Sequence, residues 1–217
     1  MEKEDPSAVR LAVNPTRMEL LRLRKRLTVA RRGHKLLKDK LDGLMKDFGK
    51  YANAYKERRL AVDKQLPEVL KHFVLAEATS SRAVIEDALD LTRQELYVDA
   101  QLRRVMGVAI PRIDVTFGEA QGGYSLMHTS PELDSAIDSL KKFIPELLHM
   151  SELEQTVRLL SQEIEKTRRR VNALEHTLIP NMAETSKYIK SKLDEIERST
   201  TSQLMKIKAD RMTDGAM

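Results

Sequence analysis

Histidine and acidic side chains are the first candidates for chemistry in this chain of 217 residues. The five histidines are widely dispersed, and no two of them have the spacing of metal ligands: His34, His72, His128, His149 and His176. Acidic residues are plentiful, but a catalytic pair needs a cleft that shifts its pKa values. The chain contains no glycine-rich phosphate loop, zinc motif or nucleophile elbow of the common enzyme families. We therefore expect no catalytic residue, no cofactor and no metal.

Concentrated basic residues are the second candidates. Between Thr16 and Lys38 nine Lys or Arg face a single acid, a local net charge of +8 in a chain whose total is +5. Such an excess marks either a solvated helix face or a surface for an acidic partner, protein or nucleic acid. We take seven arginines as a candidate protein-docking surface and call them the basic set: Arg24, Arg26, Arg31, Arg32, Arg168, Arg169 and Arg170.

An apolar ladder with alternating steps of three and four residues positions the first part of the basic set. Eleven of its thirteen positions are apolar, and its mean step of 3.5 is the period of a left-handed coiled coil. The polar member His34 is interpreted as a register marker or a partly exposed edge position. The positions are Leu20, Leu23, Leu27, Ala30, His34, Leu37, Leu41, Leu44, Phe48, Tyr51, Tyr55, Arg58 and Val62.

The start of this first helix has two possible caps. Asn14 can cap a helix with Pro15 in its first position, and Thr16 with Glu19 forms a capping box two residues later. Both alternatives predict a helix that begins near residue 15.

A second ladder positions the remaining arginines. Its members are Leu153, Val157, Leu160, Ile164, Thr167, Val171, Leu174, Leu178, Met182, Ile189, Leu193 and Ile196. Two successive steps of four, from Leu174 to Met182, bracket Pro180. Because the pattern resumes afterwards, we predict a kink or local unwinding there rather than a helix end.

Each ladder alone would expose an apolar stripe along its whole length, so the two helices should pair with each other. The sequence therefore predicts a mainly α protein, a long antiparallel two-helix coiled coil shaped as a rod with both termini at one end. We expect a single elongated unit spanning residues 1–217. Its parts are an N-terminal coiled-coil helix (14–75), a middle region (76–130) and a C-terminal coiled-coil helix (131–212).

The middle region changes period. Thr79-Ser80-Ser81 breaks a helical stretch, and from Leu96 to Arg103 apolar and polar residues alternate as in a half-buried strand. The alternation returns after Met106-Gly107, which predicts a hairpin at about 95–117 with Pro111 at a strand edge or start. A loop from Gly118 to Gly123 follows. Ser130 should cap the returning helix, which Pro145 should interrupt once.

Composition supports a helical protein without a large core. Aromatic residues make up 4% and tryptophan is absent, whereas charged residues reach 33% beside 41% hydrophobic ones. This mixture is too apolar for disorder and is typical of long helices. The absence of cysteine excludes disulfides and thiolate metal sites. The first residues do not resemble a signal peptide, and no uncharged apolar stretch is long enough to span a bilayer.

Several motifs resemble those of the D subunits of the V-type and archaeal A-type ATPases. The N-terminal motifs are Asn14-Pro15-Thr16-Arg17-Met18-Glu19-Leu20 and the run from Arg31-Arg32-Gly33-His34 to Lys40. The second half contributes the run from Glu163 to Glu175 and Ile179-Pro180. Val108-Ala109-Ile110-Pro111 and Ser130-Pro131-Glu132-Leu133-Asp134 resemble the middle of that family, so the likeness covers nearly the whole chain.

The resemblance implies a non-catalytic rotor shaft in the central stalk of an archaeal or bacterial complex. It would couple ATP synthesis or hydrolysis in a hexamer of A and B subunits to ion translocation. Its partners would be the A and B subunits, which the basic set would face, the small F subunit, and a membrane-side socket subunit. It implies a peripheral position on the cytoplasmic side of the cell membrane, with no nucleic acid and no direct membrane insertion.

Two other classes of function remain open from the residues alone. A free-standing coiled-coil adaptor or tether has the same ladders, but it would not co-elute with ATPase subunits. A basic helical protein that binds nucleic acid would show salt-dependent affinity for duplex DNA. That last class is disfavoured because the aromatic residues between 48 and 55 belong to the apolar seam and cannot also stack on bases.

Overall fold

The computed structural model describes residues 11–91, 93–121, 123 and 129–214. Its elements are α1 (Arg17–Thr79), α2 (Arg82–Leu91), β1 (Arg93–Val105), β2 (Val108–Gln121), α3 (Pro131–Ala173), a π-helical turn (Leu174–Leu178) and α4 (Ile179–Asp214). The protein is mainly α, with long helices that pack against each other and a two-stranded antiparallel hairpin in the middle, as predicted. Its contacts define two compact units, one formed by residues 1–41 and 166–217 and the other by residues 42–165.

The start of α1 is set by Thr16. Its Oγ1 accepts a hydrogen bond of 3.2 Å from the N–H of Glu19, which satisfies one of the free donors of the first turn. The helix begins at Arg17, so the capping box is used and the alternative start at Asn14 and Pro15 is not. The carbonyl of Asn14 instead accepts from the N–H of Thr16, at 2.9 Å.

The first ladder is confirmed along α1. None of its thirteen positions is exposed, and Leu23, Leu44 and Val62 are buried. The helix also continues through Pro67 to Thr79, beyond the predicted end of its coiled-coil segment. Burial of Val62 and Val69 on either side of the proline holds both halves against the same cluster, which offsets the lost backbone hydrogen bond.

In the unit formed by residues 1–41 and 166–217, the two helical segments run antiparallel. Arg17 lies 3.5 Å from the carboxylate of Glu197, and His34 contacts Glu175. Residues later in α1 therefore contact residues that come earlier in the C-terminal half of the chain. Leu23, Val171 and Ile189 are buried in this unit. The second ladder is confirmed at ten of its twelve positions, but Leu178 and Ile196 are about half exposed.

A π-helical turn at Leu174–Leu178 confirms the local unwinding predicted before Pro180. Its wide geometry appears in the N–H of Ile179, which donates to the carbonyl of Leu174 five residues earlier. One extra residue per turn explains the two successive steps of four in the ladder. The helix then resumes as α4, with buried Thr185 and Ile189 back on the apolar side.

The unit formed by residues 42–165 is held together by two apolar clusters. One contains Val62, Val69, Phe143 and Met150, and the other contains Ala76, Ala88 and Leu133. Arg58, the charged member of the first ladder, forms an ion pair with Glu146. Because Phe143 and Met150 pack into the same cluster, α3 continues through Pro145, and the predicted interruption of the helix there is wrong.

The predicted hairpin is present and is longer than expected. Val105 pairs with Val108 across Met106 and Gly107, whose φ values of 50° and 83° are those of a tight type I′ turn. Pro111 lies inside β2, opposite Leu102. In a two-stranded sheet both strands are edges, so its missing N–H can face outward without loss of a ladder bond. Strand β2 extends into the segment expected as a loop, to Gln121.

Ser130 caps α3 as predicted. Its Oγ accepts a hydrogen bond of 3.2 Å from the N–H of Glu132, and α3 begins at Pro131, whose missing N–H costs nothing at a first helical position. The helical stretch is broken within Thr79-Ser80-Ser81, as predicted, since α1 ends at Thr79 and α2 begins at Arg82. Part of the predicted loop from Gly118 to Gly123, at residue 122, lies outside the described residues.

Candidate functional site

The basic set lies entirely within one compact unit and is exposed throughout. Four of its arginines lie on α1 and three on α3, all within residues 1–41 and 166–217. Each has an exposed side chain: Arg24, Arg26, Arg31, Arg32, Arg168, Arg169 and Arg170. The sequence therefore placed these residues on the correct elements and on the solvent side.

The arginines of α1 surround the helix instead of forming one line. At about 100° per residue, Arg24 and Arg31 share one flank, Arg26 lies on the opposite flank, and Arg32 lies on the side away from the apolar seam. Arg168, Arg169 and Arg170 are consecutive and so also spread around their helix. Positive charge is therefore presented in several directions around these helices.

Most of these arginines are available to an external partner. Within the described part of the chain, no carboxylate pairs with Arg24, Arg26, Arg31 or Arg32. Arg169 is the exception, since it already interacts with its own chain. Unpaired guanidinium groups on a helix surface can bind carboxylates with planar, two-point hydrogen bonds. The arrangement can therefore bind acidic surfaces but offers no reaction of its own.

His34 is a contact between two helices. Its Nε2 lies 3.2 Å from Oε2 of Glu175, and its side chain is 20% exposed. This agrees with the predicted edge position on the ladder. Because Glu175 lies in the π-helical turn, the contact joins α1 to the point where the second ladder shifts its phase.

The shifted pKa values belong to exposed side chains that are close neighbours in sequence. In each case a side-chain hydrogen bond to the partner is the main cause. It raises the pKa of Arg59, Arg82, Lys192 and Tyr97, and lowers that of Glu195. The pairs are Arg59 with Asp63, Arg82 with Glu86, Lys192 with Glu195 and Tyr97 with Glu95. The hydrogen bonds thus favour the charged forms of the helix pairs and the neutral form of the tyrosine, and none of these residues belongs to the basic set.

The described residues of the unit formed by residues 42–165 line at least two clefts. The smaller, of about 270 Å³, lies between α1 and α2 beside Phe73 and Ile85. The larger, of about 470 Å³, lies between the helices and the hairpin, beside Tyr51, Arg103 and Leu153. In the residues that the structure describes, no three His, Asp or Glu side chains converge as a metal site. Nor is any described helix long and apolar enough to cross a membrane.

The hairpin follows its predicted environment in β2 but not in β1. Ile113 and Val115 of β2 are half-buried between exposed neighbours, as the alternation predicted. Four apolar side chains on the same face as these two are nevertheless substantially exposed: Leu96, Val98, Leu102 and Phe117. We call this side of the hairpin the apolar face. It comprises Leu96, Val98, Ala100 and Leu102 of β1 and Pro111, Ile113, Val115 and Phe117 of β2. The alternation was visible in the sequence, but it could not tell how far the chain's own helices cover each of the two strands.

Comparison with known proteins finds similarity over nearly the whole chain. A family model described as the D subunit of ATP synthase matches residues 19–209. The D subunit of the V-type ATP synthase of Fusobacterium nucleatum is 46% identical over 202 residues, covering 92% of this chain and 96% of that protein. The corresponding V-type ATP synthase protein of Acetivibrio thermocellus is 48% identical over 202 residues, covering 91% of each. That of Clostridioides difficile is 46% identical over 202 residues, covering 92% and 91%.

Proposed function

Because the chain belongs to the family of ATP synthase D subunits, we propose that it is the central-stalk shaft of a V-type rotary ATPase. In this role it couples ATP synthesis or hydrolysis in a hexamer of A and B subunits to ion translocation across the membrane. The N-terminal and C-terminal helices form the shaft, and the middle region carries the hairpin. The chain itself contributes no catalytic residue.

The observation that carries this proposal is the extent of the likeness. Identity of 46–48% extends over 91% or more of this chain and of the relatives from Fusobacterium nucleatum and Acetivibrio thermocellus. A likeness that spans both long helices and the hairpin region leaves little of the chain for a different role. A free-standing adaptor or a nucleic-acid-binding protein would need only the generic features, namely paired helices and exposed basic residues.

Two physical features support a rotating shaft. Paired antiparallel helices with an apolar seam resist twisting better than a single helix, because side chains on one helix interlock with those on the other. Exposed arginines around the helices provide contacts in successive orientations. Such contacts are weak and screened by salt, so they guide the shaft without trapping it in one position. A buried ion pair would instead fix one orientation.

The proposal includes partners and a location. The basic set faces the hexamer, the small F subunit binds the stalk, and a socket subunit connects the shaft to the membrane ring. The complex holds the chain at the cytoplasmic side of the cell membrane as a peripheral subunit. It binds no nucleic acid and inserts no segment of its own into the bilayer.

Co-expression with the A, B and F subunits of the same organism tests this function. We expect the chain to co-elute with all three and the complex to hydrolyse ATP, while the chain alone neither hydrolyses ATP nor binds it at micromolar concentrations. Gel filtration and a coupled ATPase assay give both results. Loss of this chain from an otherwise intact, active complex, or saturable nucleotide binding by the isolated chain, would contradict the proposal.

A further inference from the structure

The hairpin packs on the helices near its turn and leaves most of β1 uncovered. Ile110 is 5% exposed, and Arg103 and Val105 line the cleft beside Tyr51 and Leu153.

The apolar face is covered only in part, although a sheet normally buries its apolar face and leaves its polar face to water. Its β2 residues Pro111, Ile113 and Val115 are half-buried. On β1, in contrast, Leu102 is 77% exposed and Val98 49% exposed.

The two outer edges of the hairpin also differ. On β2, the N–H of Ile113 donates a hydrogen bond of 3.1 Å to Oε2 of Glu152 on α3, and Pro111 has no N–H to donate. The chain itself therefore occupies this edge at Ile113, and Pro111 leaves no free donor beside it. The bond also identifies the pair of Ile113 with Ala100 as one whose main-chain groups point away from each other.

The same alternation defines the free groups of β1. The N–H and C=O groups of Val98, Ala100, Leu102 and Arg104 point to the outer edge, whereas those of the residues between them bond to β2. Among the described residues, no group is hydrogen-bonded to this outer edge. A long edge strand with exposed apolar side chains is a template for another strand.

We propose that the outer edge of β1, together with the apolar face, is the docking surface for an extended segment of a partner subunit, which adds a third strand to the sheet. The inference rests on the proposed function only in taking that partner from the same complex. The added strand pairs with the four residues of β1 whose main-chain groups are free. The rest of the partner subunit covers the apolar face. Main-chain pairing supplies affinity, and the exposed side chains supply specificity.

The charges of β1 define the chemistry of the occupant. Glu95 and Asp99 lie toward the open end of the hairpin, and Arg103 and Arg104 lie toward its turn. Neither arginine has a carboxylate partner in the described part of the chain. A complementary strand therefore carries acidic residues near the turn and basic residues near the open end, with apolar residues between them. Like charges placed directly opposite on neighbouring strands would oppose pairing.

A second copy of this chain is a weaker occupant. Two copies of β1 paired edge to edge would satisfy the free main-chain groups and could match opposite charges. The apolar face of each copy would still be exposed, because edge pairing extends a sheet without covering it. A partner that contributes both a strand and an adjoining layer of structure would pair with the free main-chain groups and also cover the apolar face.

Amide hydrogen exchange at single-residue resolution tests the pairing. We compare the isolated full-length chain with the same tagged chain in its purified ATPase complex. In the complex, we expect exchange of the N–H groups of Val98, Ala100, Leu102 and Arg104 to slow by about tenfold or more, while the amides between them are protected in both samples. Unchanged exchange at these four residues in the complex would overturn the proposal. Protection that grows with the concentration of the isolated chain would instead indicate self-pairing and would also overturn it.

A matched pair of substitutions tests the apolar face. Leu102→Asp introduces a charge on that face, and Gln101→Asp introduces the same charge one residue away on the other face. Both side chains are exposed, so neither change should unfold the hairpin. We expect Leu102→Asp to remove the exchange protection of β1 in the complex and Gln101→Asp to retain it. Equal protection in both variants would contradict a partner on the apolar face.

Failure of this inference is distinguishable from failure of the proposed function. If the chain co-purifies with ATPase subunits but β1 exchanges freely, the strand addition is wrong and the shaft assignment stands. If the tagged chain recovers no ATPase subunits, the shaft assignment is wrong, and the inference that depends on it is overturned with it.

Discussion

Gly43 and Met106 form a close contact between α1 and the turn of the hairpin. A Cβ atom at Gly43 would lie 2.5 Å from Cε of Met106, closer than two carbon atoms can approach. Met106 itself has a positive φ of 50°, an uncommon backbone conformation for a residue with a side chain. The glycine in the middle of a long helix therefore provides space for the side chain at the tip of the hairpin.

Alanine substitutions at three glycines of α1 test this role. At Gly33 and Gly49 no atom lies within 4 Å of the position that a Cβ would occupy, so alanine at either should stabilise the protein by about 0.5–1 kcal/mol through helix propensity. Gly43→Ala should gain less or lose stability, because Met106 must move. Urea unfolding of the full chain measures all three. In a protein that also carries Met106→Ala, Gly43→Ala should stabilise as much as the other two substitutions. Equal stabilisation at all three positions without that change would show that the contact with Met106 is unimportant.

Burial separates leucines that the sequence pattern alone treats alike. Leu44 and Leu160 are completely buried, so Leu→Ala at either should lower the free energy of unfolding by about 2–5 kcal/mol. Leu37 and Leu174 also occupy ladder positions, but they are only partly buried and should cost less. Leu36, at 69% exposed, is the control and should change stability by less than about 0.5 kcal/mol. Thermal or urea unfolding of these variants gives the order directly.

The π-helical turn keeps the second helix in phase with the first. Its wider geometry accommodates one extra residue between Leu174 and Leu178 without rotating α4, so Thr185 and Ile189 remain on the buried side. Thr185 remains compatible with burial because its Oγ1 donates to the carbonyl of Asn181 and accepts from the N–H of Leu11. The turn is thus a structural consequence of Pro180 and of the phase that α4 requires.

Deletion of His176 tests the phase argument. Removing this exposed residue would replace the π-helical turn by a regular α-helical turn, and the residues after it would keep nearly the same rotation, because the wider turn accommodates one extra residue. Ile189 would therefore stay on the buried side, and we expect the deletion variant to be about as stable as the control His176→Ala, which retains the number of residues. Urea unfolding compares the two variants. A deletion that lowers the free energy of unfolding by about 2–5 kcal/mol, comparable to the removal of a buried aliphatic side chain, would mean that the π-helical turn does not absorb the extra residue.

The basic set and the hairpin belong to different compact units, which allows their roles to be separated. The arginines are exposed and contribute little to stability, because surface charges gain only about 0–1 kcal/mol from pairing. Their number and their distribution around the helices favour many weak contacts instead of one strong contact. An effect on function should therefore appear only when several of them are changed together.

Reversal of Arg24, Arg26, Arg31 and Arg32 to Glu should weaken assembly with the hexamer and uncouple hydrolysis, while circular dichroism and unfolding of the isolated chain remain nearly unchanged. Each single reversal should have little effect. In contrast, deletion of Leu96 to Phe117 should alter contacts of the stalk or ATPase activity without preventing hexamer binding. Gel filtration and ATP hydrolysis compare the variants. Normal assembly of the reversed protein, with loss of hexamer binding on hairpin deletion, would show that the two surfaces have been assigned the wrong way round.

Local patterns in the sequence determined most of the secondary structure. The two ladders predicted the long helices, because apolar residues that recur every 3.5 positions over many turns fit no other regular secondary structure. Ser130 and Thr16 were recognisable caps, Met106-Gly107 marked the hairpin turn, and the double step around Pro180 marked the π-helical turn. The basic set was recognisable as concentrated positive charge and is exposed, but exposure alone does not identify a binding partner.

The sequence alone determined which residues alternate or recur, and hence which elements form, because these periods depend on backbone geometry within a few turns. Only the tertiary structure decided which of the resulting faces are covered. It buried Thr185, exposed Leu178, carried α3 through Pro145 and left the apolar side chains of β1 exposed, because burial depends on which distant element packs against each face.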